Sequence, residues 1–192
     1  MLFRSWGHRL PVQEYVTVGG NSVAGAAEAV RHLAGLGHRR IGFIGGFTGM
    51  VETVTRQMGY TLGLAECGLA LDESLIAYSD FSPSGGREAM AALLERAPDL
   101  DAVFLCSDYM AVAALEVIRA SGRRVPGDLA VVGYDDVPLA ALSNPRLTTV
   151  QQPIHQGGAL MVELLFALLD GQRVSPVTLP VGLVVRDSCG AK

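Results

Sequence analysis

Residues 123–153 read RRVPGDLAVVGYDDVPLAALSNPRLTTVQQP, and positions 129–133 within them carry no polar side chain. A run that short and that apolar, preceded by Pro126 and Gly127, predicts a strand covered on both faces, as in a parallel sheet flanked by helices. The strand is expected to stop at Tyr134, Asp135 and Asp136. Ligands of open α/β sheets bind at the carboxyl ends of the strands, so acidic groups placed there are candidate ligand contacts.

Outward from this stretch, helix-period segments alternate with short apolar runs. The spacing predicts a helix over 25–36 with Ala26, Ala29, Val30 and Leu33 on one face and Gly37 ending it. A strand over 41–44 follows, then a helix over 53–66 carrying Met58, Leu62 and Ala65, then a strand over 75–78 ending at Ser79, Asp80 and Phe81. Ser84 is read as the N-cap of a third helix, whose Ala89, Met90, Leu93 and Leu94 form an apolar stripe. A strand over 102–105 delivers Cys106, Ser107 and Asp108, and Asp108 reads as the cap of a helix running to Ala120. Successive strand and helix units of this kind imply an α/β fold, a doubly wound parallel sheet with right-handed crossovers.

Beyond Val137 the pattern changes. Pro138, Pro145 and Pro153 bracket a segment expected to be irregular, with an extended passage at Thr148, Thr149 and Val150 that suits a crossing between subdomains. A strong helix over 154–169 follows, with Leu160, Met161, Leu164, Leu165 and Leu168 on one face, and positions 177–186 read as one or two extended segments.

With 49% hydrophobic and 18% charged residues in 192, the chain has the composition of a globular protein with a real core. Its apolar segments are broken by Gly, Asp or Arg before the roughly 20 residues a membrane span needs, and no secretory leader is read at the start. A soluble, cytoplasmic protein is expected. The formal net charge of -4 argues against a large phosphate-binding surface, since nucleic-acid affinity rests on clustered Lys and Arg. Cys67, Cys106 and Cys189 form no CxxC pair and read as small buried hydrophobes in a reducing compartment. The four histidines show no ligand spacing, and neither a metal nor a cofactor is expected.

If the strands are parallel, Gly45 and Gly46, Asp80 and Phe81, Ser107 and Asp108, and Tyr134 and Asp135 meet on one rim. Such a rim suits a polyhydroxylated ligand, because carboxylates accept paired hydrogen bonds from hydroxyls, an arginine donates a planar fork, and an aromatic ring covers the C–H face of a sugar. Arg56 could supply the fork. Asp108 is read first as a helix cap and only second as a ligand contact, Asp135 has no capping duty and is read as a contact, and Phe81 fits core and ligand roles equally. Asp136 would point away from Asp135 in an extended chain, so the two make a poor acid/base dyad. GxGxxG and GxxxxGK[ST] are missing, and positions 20–25, GNSVAG, miss the GxSxG elbow by one residue, so no enzyme motif stands out.

These residues carry a resemblance. GHRRIGFIGG at 37–46, Arg56-x-x-Gly59-Tyr60, DAVFLCSDYMAVAAL at 101–115, VPGDLAVVGYDDVPLA at 125–140 and LTTVQQP at 147–153 resemble, in order, the effector-binding core of the LacI/GalR family of bacterial transcriptional regulators. The resemblance implies a periplasmic-binding-protein-like fold (type I) of two subdomains with a sugar or other small effector in the cleft between them. It places Arg56, Phe81 and Asp135 where the family holds its effector, and Ser107 at a position often occupied by Asn. A hydroxyl there replaces an amide that donates and accepts at once, which points to a different ligand from the hexose-type effectors of Asn-bearing members.

The same resemblance implies a nearly complete C-terminal effector-binding subdomain over 38–149 and 174–189, and a remnant of the N-terminal one over 10–37 and 150–173. No helix-turn-helix headpiece is recognised, positions 1–8 match no family segment, and the start reads as truncated. A homodimer is implied, touching operator DNA only through a headpiece that is absent from these residues. Helix 154–169 would expose an apolar face. Two other classes compete with an effector-binding regulator core: a solute-binding protein of the same fold serving transport, which needs an export signal, and a small α/β enzyme using Asp135 or Asp108 as base.

Overall fold

The computed structural model describes residues 16–191. In chain order the elements are β1 (Val18–Gly20), α1 (Ser22–Gly35), β2 (Ile41–Gly45), α2 (Val51–Glu66), β3 (Ile76–Tyr78), α3 (Pro83–Arg96), β4 (Ala102–Leu105), α4 (Asp108–Ala120), β5 (Ala130–Asp135), α5 (Pro138–Leu142), β6 (Thr148–Gln151), α6 (Ile154–Leu169), β7 (Val177–Leu179) and β8 (Gly182–Val184). They fall into two compact units, 22–151 with 182–191, and 16–21 with 152–181.

The larger unit is built on a six-stranded sheet ordered β3-β2-β4-β5-β6-β8. β2 through β6 are mutually parallel and β8 runs antiparallel to β6. β3 and β4, which follow β2 in the chain, lie on opposite sides of it, so the path reverses across the sheet. Right-handed crossovers then put α3 and α4 on the face opposite α2, and α1 packs with α2 while α3 packs with α4. The doubly wound sheet expected from the alternation is present, and the reversal creates a topological switch point between β2 and β4.

β2, β4 and the first five residues of β5 are buried throughout, as apolar runs covered on both faces must be. A row of rings crosses one face: Tyr60 lies 5.2 Å from Phe43, Phe43 5.9 Å from Phe104, and Phe104 6.4 Å from Tyr134. Tyr60 donates its hydroxyl to the Ile41 carbonyl at 2.8 Å, which satisfies the polar tip of a fully buried side chain.

Several expectations are corrected. The stripe of Met58, Leu62 and Ala65 on α2 faces outward, and the buried face is Thr53, Arg56, Gly59, Tyr60, Gly63 and Leu64. The seam with α1 explains the rotation, because a Cβ at Gly59 would meet the Val23 carbonyl and Ala26, and one at Gly63 would meet Val30. Only glycine lets the two helices come that close. The N-cap of α3 is Ser82, which accepts from the Gly85 N–H with Pro83 as the first helical residue; Ser84 lies inside the helix. Residues 138–142, expected to be irregular, form the short α5, for which Pro138 at the first position is preorganised. The extended passage at 148–150 is a full member of the sheet, hydrogen-bonded to β5. Helix α1 begins at Ser22 and groups with the larger unit, so the subdomain boundary expected at 37/38 falls at 21/22; residues 1–15, with the start of the 10–37 segment, lie outside the described residues. Cys67 is exposed at the end of α2, whereas Cys106 and Cys189 are buried as expected.

In the smaller unit β1 pairs in parallel with β7, and α6 contacts β1. Only Gly157 of α6 is buried, and Ile154, Val162, Phe166 and Leu169 are exposed. Among the described residues no helix is long and apolar enough to cross a membrane, and no group of three or more His, Cys, Asp or Glu side chains is placed to hold a metal ion.

Candidate functional site

The parallel register brings the carboxyl ends of β2, β3, β4 and β5 to one edge of the larger unit. At the switch point between β2 and β4 the first side chain encountered is Arg56. Helix α2 leaves β2 through the loop at 46–50 and turns Arg56 inward, where it is 4% exposed. Its guanidinium carbon sits 3.8 Å from the centroid of the Tyr134 ring. Nη1 donates to the Cys106 carbonyl and Nη2 lies 3.4 Å from Asp135 Oδ1. Nε, like Thr53 Oγ1 one turn earlier on α2, is buried with no hydrogen-bond partner among the described residues. An unmade bond of this kind costs about 1–3 kcal/mol in a closed core, so such atoms are persistent only where another group can supply the bond.

Tyr134 was expected at the polar strand end and is instead fully buried, its hydroxyl 3.2 Å from Ser22 Oγ. Burial pushes its phenol above the ordinary range, against the pull of Arg56, so it is a neutral platform for the guanidinium. β5 therefore runs two residues further than its apolar sequence, and Asp135 is its last member.

The turn after β5 is held in an uncommon conformation. Asp135 has φ 116° and Asp136 φ 56°, both in the region that side-chain-bearing residues rarely adopt. The extended geometry that would have pointed the two carboxylates apart is absent, yet they still serve separate partners. Asp135 turns to Arg56, while Asp136 pairs with Arg186 at 2.6 Å and accepts from Gln151 Nε2 at 2.7 Å. The next residue, Val137, donates its N–H to Asp108 at 2.9 Å. Three consecutive residues are thus fixed by three different elements, which holds the strained turn in place.

Asp108 is not the cap of α4. It is the first helical residue, fully buried, and accepts from Thr149 Oγ1 at 2.5 Å as well as from Val137. Burial pushes its carboxyl up to about 7; hydrogen bonds from Thr149 and Val137 oppose the rise and the nearby Asp135 and Asp136 add to it. Gly133 makes room for it, since a Cβ there would strike Asp108 Oδ1. The cap is Ser107, whose Oγ accepts from the Tyr109 N–H at 3.2 Å and which is 5% exposed. Both residues were drawn to this point by one preference, a short polar side chain before an apolar-periodic run, and they divide the work of cap and buried brace between them.

Phe81 reaches the same edge from β3. It is half-buried with φ 65°, and its ring occupies the place where a Cβ on Gly46 would stand. The Gly45-Gly46 pair at the end of β2 is therefore a space reserved for this ring. Of the four candidate residues, Arg56 and Asp135 touch directly, Ser107 follows the carbonyl that Arg56 bonds, and Phe81 stands at the end of the edge strand. Sequence reasoning missed the Tyr134 ring as the support of Arg56, and missed Gln151 and Arg186 as the partners of Asp136. The strand alternation offered a signal for Tyr134, because it shares the parity of Val132; Arg186 is 50 residues from Asp136 and offered none.

Residues 30–189 match the family of periplasmic binding protein-like domains. Over 92% of its length the chain superposes with TM-score 0.84 and 30% identity on 68% of a sugar-binding transcriptional regulator of the LacI family from Escherichia coli, solved with phosphate. The chain belongs to the LacI family. A LacI-family relative, the regulator CelR of Thermobifida fusca, is 44% identical over 181 residues, which are 93% of this chain and 53% of that protein. The transcriptional repressor CytR of Escherichia coli strain K12 is 37% identical over 85% of this chain and 48% of its own length. A structure of CelR in complex with cellobiose matches 95% of this chain and 57% of that one, with TM-score 0.90. The chain spans about half the length of the curated LacI-family relatives it matches.

Proposed function

We propose that this chain is the effector-binding portion of a LacI/GalR-type transcriptional regulator, and that it takes a neutral carbohydrate or related polyol at the carboxyl-end rim of its larger unit. The observation that carries the reading is Arg56, buried on the Tyr134 ring, in reach of Asp135 and with Nε unbonded. A diol that accepts from the guanidinium and donates to the carboxylate satisfies both partners at once. Phe81 supplies an aromatic ring on the same rim, and Ser107, with its Oγ engaged as a cap, contributes a short wall.

Binding without catalysis fits the carboxylates present. Asp108 is enclosed by Thr149 and Val137, Asp136 is held by Arg186 and Gln151, and Asp135 is turned to the Arg56 guanidinium, so each carboxylate is engaged as an acceptor. No cofactor is needed by this chemistry. Tyr109, Leu139 and Leu142, exposed on the adjoining α4 and α5, would be covered by a second copy in a homodimer. Operator DNA would be contacted through a helix-turn-helix segment of a longer chain, as the names of its relatives suggest, in the cytoplasm where three unpaired thiols persist.

Isothermal calorimetry with cellobiose, the sugar bound by CelR, is the first test. Saturable binding is expected, and Asp135→Ala should weaken it by about 1.5–3 kcal/mol, the scale of a charged hydrogen bond. Unchanged affinity in a folded variant removes Asp135 from the site. Sedimentation of the wild type and of Leu142→Asp tests the dimer, and a monomer in both refutes it.

A further inference from the structure

At the opposite end of α4 from Ser107, a cavity of about 280 Å³ is lined by Arg119, Arg123, Arg124, Leu115, Asn144 and Pro145. On α4 its lining residues Leu115 and Arg119 lie seven and eleven positions beyond Asp108, about 10 and 16 Å along the axis at 1.5 Å per residue, and it shares no lining residue with the candidate effector site. Most arginines of the larger unit pair with a carboxylate, as Arg31 does with Glu66 and Arg87 with Glu116. Arg119 and Arg123 do not, among the described residues. Arg119 Nη2 donates to the Asn144 carbonyl at 2.8 Å, and Arg123 donates to the carbonyls of Leu100 and Pro98.

The carboxylates of the neighbouring segments are committed elsewhere, Asp99 to Arg40 and Glu116 to Arg87. Asp128 binds Arg124 through both oxygens, using Nε and Nη2. Three guanidiniums thus line one small cavity with a single carboxylate against them, leaving two formal positive charges in a chain whose net charge is -4. Main-chain carbonyls fix the direction of a guanidinium without cancelling its charge, and each group keeps N–H donors beyond those it spends on its tether. The negative end of the α4 dipole eases the crowding of Arg119 and Arg123 but supplies only a partial charge.

We propose that this cavity binds a phosphate-type dianion, free or carried on a small metabolite. Arg119 and Arg123, tethered to main-chain carbonyls and keeping N–H donors to spare, match the oxygens of a phosphoryl group, and the volume lies just below the roughly 300–1,000 Å³ typical of small-ligand sites. Such a ligand would touch α4, the lead-in to β5 and the α5–β6 connection, the elements that hold Ser107, Asp108 and Asp135 at the other end of the unit.

The test is a titration of the whole chain with inorganic phosphate at constant ionic strength, followed by nitrogen–proton correlation spectra of the backbone and of the arginine Nε–H groups. Saturable shifts confined to residues near 115–125 and 144–145 are expected. Arg119→Gln with Arg123→Gln should weaken binding about tenfold or more, and the corresponding Lys pair should recover part of it, since it keeps the charge and loses the fork. A parallel titration with glucose 6-phosphate separates the sources: equal affinity assigns the ligand as phosphate itself, and tighter binding at the same residues assigns a phosphorylated metabolite. Shifts that do not saturate, or that spread over exposed arginines generally, overturn the proposal, as does a folded Gln pair that binds as the wild type does. If the Gln pair does not fold, the location of the wild-type shifts decides alone.

Discussion

Replacing Asp108 by Asn should flatten the pH dependence of stability. In the folded chain the Asp108 carboxyl titrates at about 7 against an ordinary 3.8, because burial disfavours its charged form. Above the unfolded pKa the unfolded chain is already ionised while the folded chain still holds the proton, so stability is greatest below about pH 4 and is lost as pH rises through 7. At about 1.36 kcal/mol per pKa unit the whole loss is of order 4 kcal/mol, and roughly 2.5 kcal/mol of it falls between pH 5 and pH 8. Asn has the same shape and does not titrate. Its Oδ1 can accept from the Val137 N–H and its amide can donate to Thr149 Oγ1, so both bonds survive. Urea unfolding of the two chains at pH 5 and pH 8 gives the comparison directly, with contributions from other titrating groups cancelling in the difference. Wild-type stability should fall over this range relative to Asp108→Asn by about 2–3 kcal/mol. Parallel pH profiles for the two proteins would refute the assignment of a buried, proton-holding carboxyl at this position.

Arg56→Ala should abolish measurable cellobiose binding or weaken it by about 10- to 150-fold, read by calorimetry, because it removes a charged donor from the rim; a folded variant that binds normally disproves the role. Gly46→Ala places a methyl group in the space of the Phe81 ring and should cost about 1–3 kcal/mol of stability in denaturant melts, with no loss expected only if the ring has another place to go. Ser107→Ala removes the α4 cap and should lower stability by about 0.5–2 kcal/mol; a fall in sugar affinity beyond that would make Ser107 a ligand contact as well. Thiol titration of the native chain with Ellman's reagent at pH 8 should show Cys67 reacting fast and Cys106 reacting only on unfolding, since burial pushes the Cys106 thiol up to about 12. Rapid reaction of Cys106 would contradict the packing of β4.

The sheet was legible because its strands are pure apolar runs with polar punctuation, and the limits of β4 and α6 coincide with the sequence pattern. What could not be read were choices made by contacts distant in the chain. Hydrophobic periodicity pointed α2 the wrong way round, since four of the six residues on the face that turns inward, two glycines, a threonine and an arginine, give no apolar signal, and Tyr60 and Leu64 alone were outweighed by the stripe of Met58, Leu62 and Ala65. Tyr134 looked like a rim residue because tyrosine is polar at its tip, and only the presence of Ser22 at 3.2 Å explains its burial. The same limit applied to Ser107 and Asp108, where one local rule suited both residues and the deciding partner, Thr149, lies 41 positions away. Asp135 was legible as a carboxylate with no local duty; the positive φ that aims it was not.

The seam between α1 and α2 gives the rim a mechanical setting as well as a chemical one. Arg56 reaches Tyr134 only because α2 lies as deep as Gly59 and Gly63 allow. Those two glycines act as a depth stop for the helix, one turn and two turns beyond the arginine. A single methyl group added at the stop would lift the helix and withdraw the guanidinium from its ring without altering any group on the rim. If Arg56 holds a ligand as proposed, its affinity would be tuned from a buried helix seam that the ligand never reaches.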